Sequence, residues 1–193
     1  MSSNGAKNMT FKNCSMSRFD AHRGFWNANL INCEFGQTIN VIGGGKLYIE
    51  NTKRLAGRHF IAMRGDYGAT FDGDIILKNC SITGKKTYRG VKNDSSFDDE
   101  IYIIYAGFGH TNEKYLAWDF GYTCNMPHHL TIDNFTSGKP EITYVYNSLT
   151  DAPFKTEGRY IITEDITYKN MKPFKTCASE DSTYLQAITI NEE

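Results

Sequence analysis

Leu47-Tyr48-Ile49-Glu50-Asn51-Thr52 alternates apolar with polar residues and closes on an asparagine followed by a small residue. The pattern recurs upstream as Met9-Thr10-Phe11-Lys12-Asn13-Cys14 and Leu30-Ile31-Asn32-Cys33, and downstream as Ile75-Ile76-Leu77-Lys78-Asn79-Cys80. Weaker copies follow at Leu130-Thr131-Ile132-Asp133-Asn134-Phe135 and Ile166-Thr167-Tyr168-Lys169-Asn170-Met171. The first three asparagines are 19 and 19 residues apart, and later gaps lengthen to 28, 55 and 36. A constant unit with growing gaps reads as a solenoid coil carrying inserted loops.

Period-two alternation makes each copy a strand with one buried face. The closing asparagine suits a left-handed turn, and its amide can stack on the next coil. A second strand follows each of the first three turns, at Phe19-Asp20-Ala21-His22, Ile39-Asn40-Val41-Ile42 and Ile61-Ala62-Met63-Arg64. Apolar residues at 19 and 21, 39 and 41, and 61 and 63 share a phase, so Asp20, His22 and Arg64 are expected on the outer face. One apolar column through Phe11, Leu30, Leu47, Ile75, Phe19, Val41 and Met63 is expected inside. The fold class is therefore all-β, a right-handed parallel β-helix. About seven or eight coils at a spacing of ~4.8 Å give a rod of roughly 35 to 40 Å.

The 193 residues suffice for one domain, taken as 1–193. With few residues before Met9 to form a cap, the chain is expected to be a fragment of, or a partner to, a longer protein. Lys+Arg number 21 against 22 Asp+Glu, which leaves no basic field to hold nucleic acid or an anionic membrane. No apolar run reaches a membrane span, and Met1-Ser2-Ser3-Asn4-Gly5 lacks the regions of a signal peptide.

Cys14, Cys33 and Cys80 share one repeat position and read as an inward stack of small side chains. Neither Cys-x-x-Cys nor Cys/His pairing occurs, so no metal and no cofactor is expected. Asn-x-Ser/Thr triplets fall on the repeat turn and are repeat chemistry. Arg64-Gly65-Asp66 is a chance tripeptide, and Gly43-Gly44-Gly45-Lys46 leads into a strand, unlike a P-loop.

Three segments concentrate functional side chains beside glycines: Asp20-Ala21-His22-Arg23-Gly24, Arg64-Gly65-Asp66-Tyr67-Gly68 with Asp72-Gly73-Asp74, and Trp118-Asp119-Phe120-Gly121-Tyr122. The coil alignment puts Arg64 in the column of His22, ~10 Å away, the width of a substrate groove. Asp20, His22, Asp66 and Asp119 are the candidate catalytic residues, since imidazoles and paired carboxylates transfer protons and act on glycosidic bonds. Arg23 and Arg64 are candidate anion contacts, and Tyr67, Trp118 and Tyr122 offer flat faces to sugars. The plain alternative is that these are solvated charges and ordinary turn residues.

These segments, with Ile39-Asn40-Val41-Ile42-Gly43-Gly44-Gly45, Ile49-Glu50-Asn51 and Asp119 to Pro127, resemble β-helical tail proteins of phages and prophages infecting Gram-positive bacteria, including preneck appendage or tailspike proteins. The resemblance covers roughly residues 9 to 136. It implies a pectate-lyase-like β-helix in a virion tail, made in the bacterial cytoplasm, with other tail proteins and two further copies of itself as partners. It further implies binding of a bacterial surface polymer, with cleavage of teichoic acid or polysaccharide in some members. A non-catalytic structural or adhesive β-helix is the competing reading. A free polysaccharide lyase fits less well without a secretion signal.

Overall fold

The computed structural model describes residues 2–3, 5–63, 71–85, 87–88, 91–92, 100–106, 124–147, 160–161, 163–177 and 189–193. It is a parallel β-helix. The first sheet stacks seven strands in parallel: Lys7–Lys12, Phe25–Ile31, Gly43–Glu50, the first half of Phe71–Lys85, His129–Ser137, Asp165–Lys169 and Thr189–Glu192. The second sheet stacks Ser15–Ala21, Glu34–Val41, the pair Lys53–Ala56 and His59–Met63, then Glu100–Ala106, Glu141–Asn147 and Lys175–Cys177. Among the described residues no helix is long and apolar enough to cross a membrane.

The repeat asparagines form the corner between the sheets. Asn13, Asn32, Asn51, Asn79, Asn134 and Asn170 all hold left-handed backbone, with φ of 58, 53, 47, 51, 60 and 56°. Asparagine tolerates this region because its short amide bonds locally. The amides also bond between coils: Asn32 donates to Asn13 (3.1 Å), Asn51 to Asn32 (3.1 Å) and Asn134 to Asn79 (3.0 Å), while Asn170 donates to Asp133 (2.8 Å). Each turn is therefore held by its own conformation and by its neighbour. A shorter row repeats the device at the start of the first sheet, where Asn27 donates to Asn8 (2.7 Å) and accepts from the Lys46 N–H (2.8 Å).

Apolar residues fill the space between the sheets. The expected single column is several parallel columns in one core. Phe11, Leu30, Ile49, Leu77, Ile132 and Tyr168 stack in register, and Glu192 ends that column. Leu47 and Ile75 belong to the next one, between Ala28 and Leu130, and Val41 and Met63 stack across the second sheet. All lie in the core or, for Phe11, pack partly buried against it. The two-residue step between Leu30 and the expected Leu47 explains the shift: Ile49 is the true partner of Leu30.

The cysteine position is also inward. Cys33 and Cys80 are buried, whereas Cys14, at the end coil, is only partly so. Their thiols donate to backbone carbonyls, Cys33 to Ile31 (3.4 Å) and Cys80 to Ile49 (3.4 Å). Thr52 takes the same position between them and donates to the Glu50 carbonyl (2.9 Å). Burial pushes the Cys80 thiol up to about 12 and raises Cys33 as well, which keeps both as inert thiols.

The corner after the asparagine turn is irregular. Phe35 pairs with Arg54 and Asn40 with Ala62, so the third coil spends three more residues than the second on the same path. The extra chain bulges outward as a lobe. Arg54 points into it with 2% of its surface exposed, and its Nε and Nη1 have no hydrogen-bond partner. Gly57, at φ 93°, wraps the guanidinium so closely that a Cβ there would lie 2.4 Å from Nη2. Burial lowers Arg54 to about 9, and burial with the Arg54 and Arg58 charges holds His59 well below the usual imidazole range. An unpaired buried cation destabilises the fold.

Candidate functional site on the outer face

Of the expected site residues, Asp20, His22 and Arg23 are described. Arg64, Asp66, Tyr67, Trp118, Asp119 and Tyr122 lie outside the described residues. Asp20 and His22 do share one side of their coil, with His22 Nε2 3.4 Å from Asp20 Oδ2. Asp20 is not the open carboxylate expected, because only 5% of it is exposed. Arg18 from the same outer row pairs with its Oδ2, and Asn40 from the next coil donates to its Oδ1 (3.0 Å). Ser2 pairs beside it on the other side. Both oxygens of this carboxylate have partners within the fold, an arrangement suited to tying two coils together. His22 and Arg23 remain exposed.

A different row assembles on the outer face of the first sheet. Trp26, Gly44 and Asp72 stand in register on three successive coils. Trp26 keeps 50% of its surface exposed. Its indole lies across Gly44, where a Cβ would meet Trp26 Cζ3 at 3.0 Å and the Asp72 carbonyl at 2.4 Å. Any other residue at 44 would lift the ring from the sheet.

The row continues through backbone bonds from the His128 N–H to the Gly73 carbonyl (2.8 Å) and from the Glu164 N–H to the His128 carbonyl (2.8 Å). There the His128 ring bridges two carboxylates, with Nε2 2.8 Å from Asp72 Oδ1 and Nδ1 3.2 Å from Glu164 Oε1. Alongside, His129 Nδ1 lies 2.6 Å from Asp165 Oδ2.

These contacts set the charge of the row. Hydrogen bonds donated by its ring to Asp72 and then to Glu164 raise His128, outweighing a partial loss of hydration, and a bond to Asp165 does the same for His129. Both rings hold a proton to higher pH than a free imidazole, and protonated His128 donates from both nitrogens. Asp72 and Glu164 each retain a second oxygen to accept from a ligand's hydroxyls. With both ring nitrogens engaged, His128 positions the carboxylates and has no free nitrogen with which to move a ligand's proton. An exposed indole beside fixed acceptors is the chemistry of sugar binding: the ring packs against C–H faces and the carboxylates hold hydroxyls.

Glycine neighbours mark Asp72 and Asp74 in the sequence; nothing local marks His128, His129, Glu164 or Asp165. The Asp133 and Lys169 pair shows why they meet: 36 residues separate equivalent positions, and His128 to Glu164 spans the same interval. That spacing was the available signal. Among the described residues no group of three or more His, Cys, Asp or Glu is arranged to hold a metal ion. No protein-family model matches the chain, and no curated protein or solved structure shows a significant similarity to it.

Proposed function

We propose that this chain is the polymer-binding β-helix of a phage tail appendage, and that its outer row holds a bacterial surface glycan along the solenoid axis. The observation that carries the reading is the alignment of half-exposed Trp26 with Asp72, His128 and Glu164 on one face. Coils repeat every ~4.8 Å, close to the rise of an extended sugar chain per residue, so a chain lying along the row meets equivalent positions repeatedly. The appendage assignment rests on the motif resemblance, and association with tail proteins or as a trimer belongs to the same proposal.

The four carboxylates Asp72, Asp74, Glu164 and Asp165 outnumber the two imidazoles, which favours a hydroxyl-rich or aminated stretch over a run of phosphates. Binding without cleavage is the reading favoured by the described residues, because Asp72 and Glu164 share the imidazole of His128 and leave it no free nitrogen. The test is binding to purified capsular polysaccharide and wall teichoic acid, with release of reducing ends and phosphomonoesters scored in parallel. Polysaccharide is expected to bind without product, and Trp26→Ala to weaken it by about 1 kcal/mol, the scale of an aromatic contact. Unchanged affinity in Trp26→Ala and Asp72→Asn would remove the row from the binding surface. Released product would restore the hydrolase reading, with Asp66 and Asp119 as the residues to vary.

A further inference from the structure

The lobe is open at its top and closed at its base. Asp133 pairs with Lys169 and Thr143 with Lys175, so the fifth coil uses ten residues where the sixth uses six. The sixth coil leaves a cleft of about 580 Å³ there, walled by Phe135, Pro140, Ile142, Met171 and Pro173. At the base, in the third coil, the chain closes over Arg54.

Four buried side-chain polar atoms among the described residues have no hydrogen-bond partner: Arg54 Nε, Arg54 Nη1, His59 Nδ1 and Thr143 Oγ1. Three of the four belong to one bend of the chain, since Arg54 and His59 flank Gly57 and His59 lies within reach of the Arg54 charge. Thr143 stands two rungs on, in register with His59 through Tyr102. Buried polar groups are nearly always paired, so three orphan atoms at one bend mark a place where a partner belongs.

All three are donors to such a partner. A guanidinium only donates, and a neutral imidazole donates from Nδ1 in the tautomer that carries its proton there. Among the described residues no acidic side chain pairs with Arg54. Glu100, on the next coil, is taken up by the Tyr102 hydroxyl (2.7 Å) and by Lys175 (3.5 Å). A water molecule would accept the bonds and leave the charge, whereas an anion satisfies both. Gly57 limits the size of that anion. One added carbon there would lie 2.4 Å from Nη2, so a polyatomic ion has no room on that side, and Nε and Nη1 remain as the approaches. Leu55, Gly57, Arg58 and His59 are only partly buried, which gives a small ion a short way in past the imidazole.

We infer that the base of the lobe is a binding site for a small monovalent anion of the size of chloride, held between the Arg54 guanidinium and the Nδ1–H of His59. The inference is independent of the glycan reading.

The test is denaturant unfolding of the whole chain in mixtures of sodium chloride and sodium gluconate at constant ionic strength, gluconate being too large to enter. One ion bound to the native state alone makes the unfolding constant fall about tenfold for each tenfold rise in chloride, once chloride is well above its dissociation constant. Arg54→Met should unfold alike in the two salts, and in gluconate it should be the more stable of the two proteins. His59→Phe keeps a ring to stack on Tyr105 and should need several times more chloride for the same effect. Crystals of the parent soaked in bromide should show its anomalous peak in contact with Nε or Nη1 of Arg54. The inference is overturned if the parent is indifferent to the exchange of chloride for gluconate, if Arg54→Met or His59→Phe responds as the parent does, or if no bromide touches Arg54.

Discussion

The two corners of the β-helix obey different rules. At the asparagine corner the chain repeats one conformation in six coils, and the amides bond from coil to coil. At the lobe corner the path gains three residues between the second and third coils and loses four between the fifth and sixth. Stacking demands identity only where side chains must pair or pack between rungs; elsewhere the chain is free to change length. The uniform corner maintains the register, while the variable corner buries an unpaired cation at its base and opens a cleft at its top.

The comparison breaks most directly through the core that both corners enclose. Val41→Asp is expected to cost about 3 to 5 kcal/mol, since the position is fully buried between coils and offers a carboxylate no partner. Denaturant unfolding measures it, and a loss below about 1 kcal/mol would mean that the stack tolerates water.

At the uniform corner, Asn32→Ala should cost about 2 kcal/mol, combining left-handed strain with the loss of bonds to Asn13 and Asn51. Asn32→Gly relieves the strain and loses only the amide bonds, so it should cost about half as much. Equal losses in the two variants would show that the amide ladder, and not the turn conformation, carries the effect.

At the variable corner the sign reverses. Arg54→Met keeps an unbranched side chain and removes the unpaired charge, so it should raise stability by about 1 to 2 kcal/mol. A destabilised variant would show that the lobe needs its guanidinium.

The smallest expected effect lies on the outer row. The folded-state pKa of His128 is raised by Asp72 and Glu164, so its contribution is fully present below the ordinary value near 6.5 and is lost as pH rises through the raised value. It should amount to less than about 1 kcal/mol for a partly exposed group. A His128 titration followed by NMR should move toward the ordinary value in Asp72→Asn, and an unmoved curve would mean that Asp72 does not hold the ring.

The coil was legible because its signal is local. Asn13, Asn32 and Asn51 recur at one spacing, each after an alternating strand, and both the conformation and the pairing follow from that unit. The outer row was not legible, because Asp72, His128 and Glu164 come from three coils separated by unequal insertions, so no spacing within one segment brings them together. Alternation gives the side of the strand on which Asp20 lies, but it describes direction and says nothing of cover. Its burial comes from Arg18, Asn40 and Ser2, two of which belong to other strands. Arg54 sits where alternation calls for an apolar side chain, and that mismatch marks the base of the lobe, which opens three residues later at Gly57.

Glu192 gives the rod a direction. It stands at the end of an inward column, above Tyr168, whose hydroxyl donates to it at 3.1 Å. A further rung laid on this edge would have to enclose that carboxylate, whereas the opposite edge offers Met9 and Phe11 at inward positions. Whatever stacks on Thr189–Glu192 therefore has to bring a donor to that column, and one charged side chain in a place a core would fill with an apolar one restricts the sequence that can lie against it.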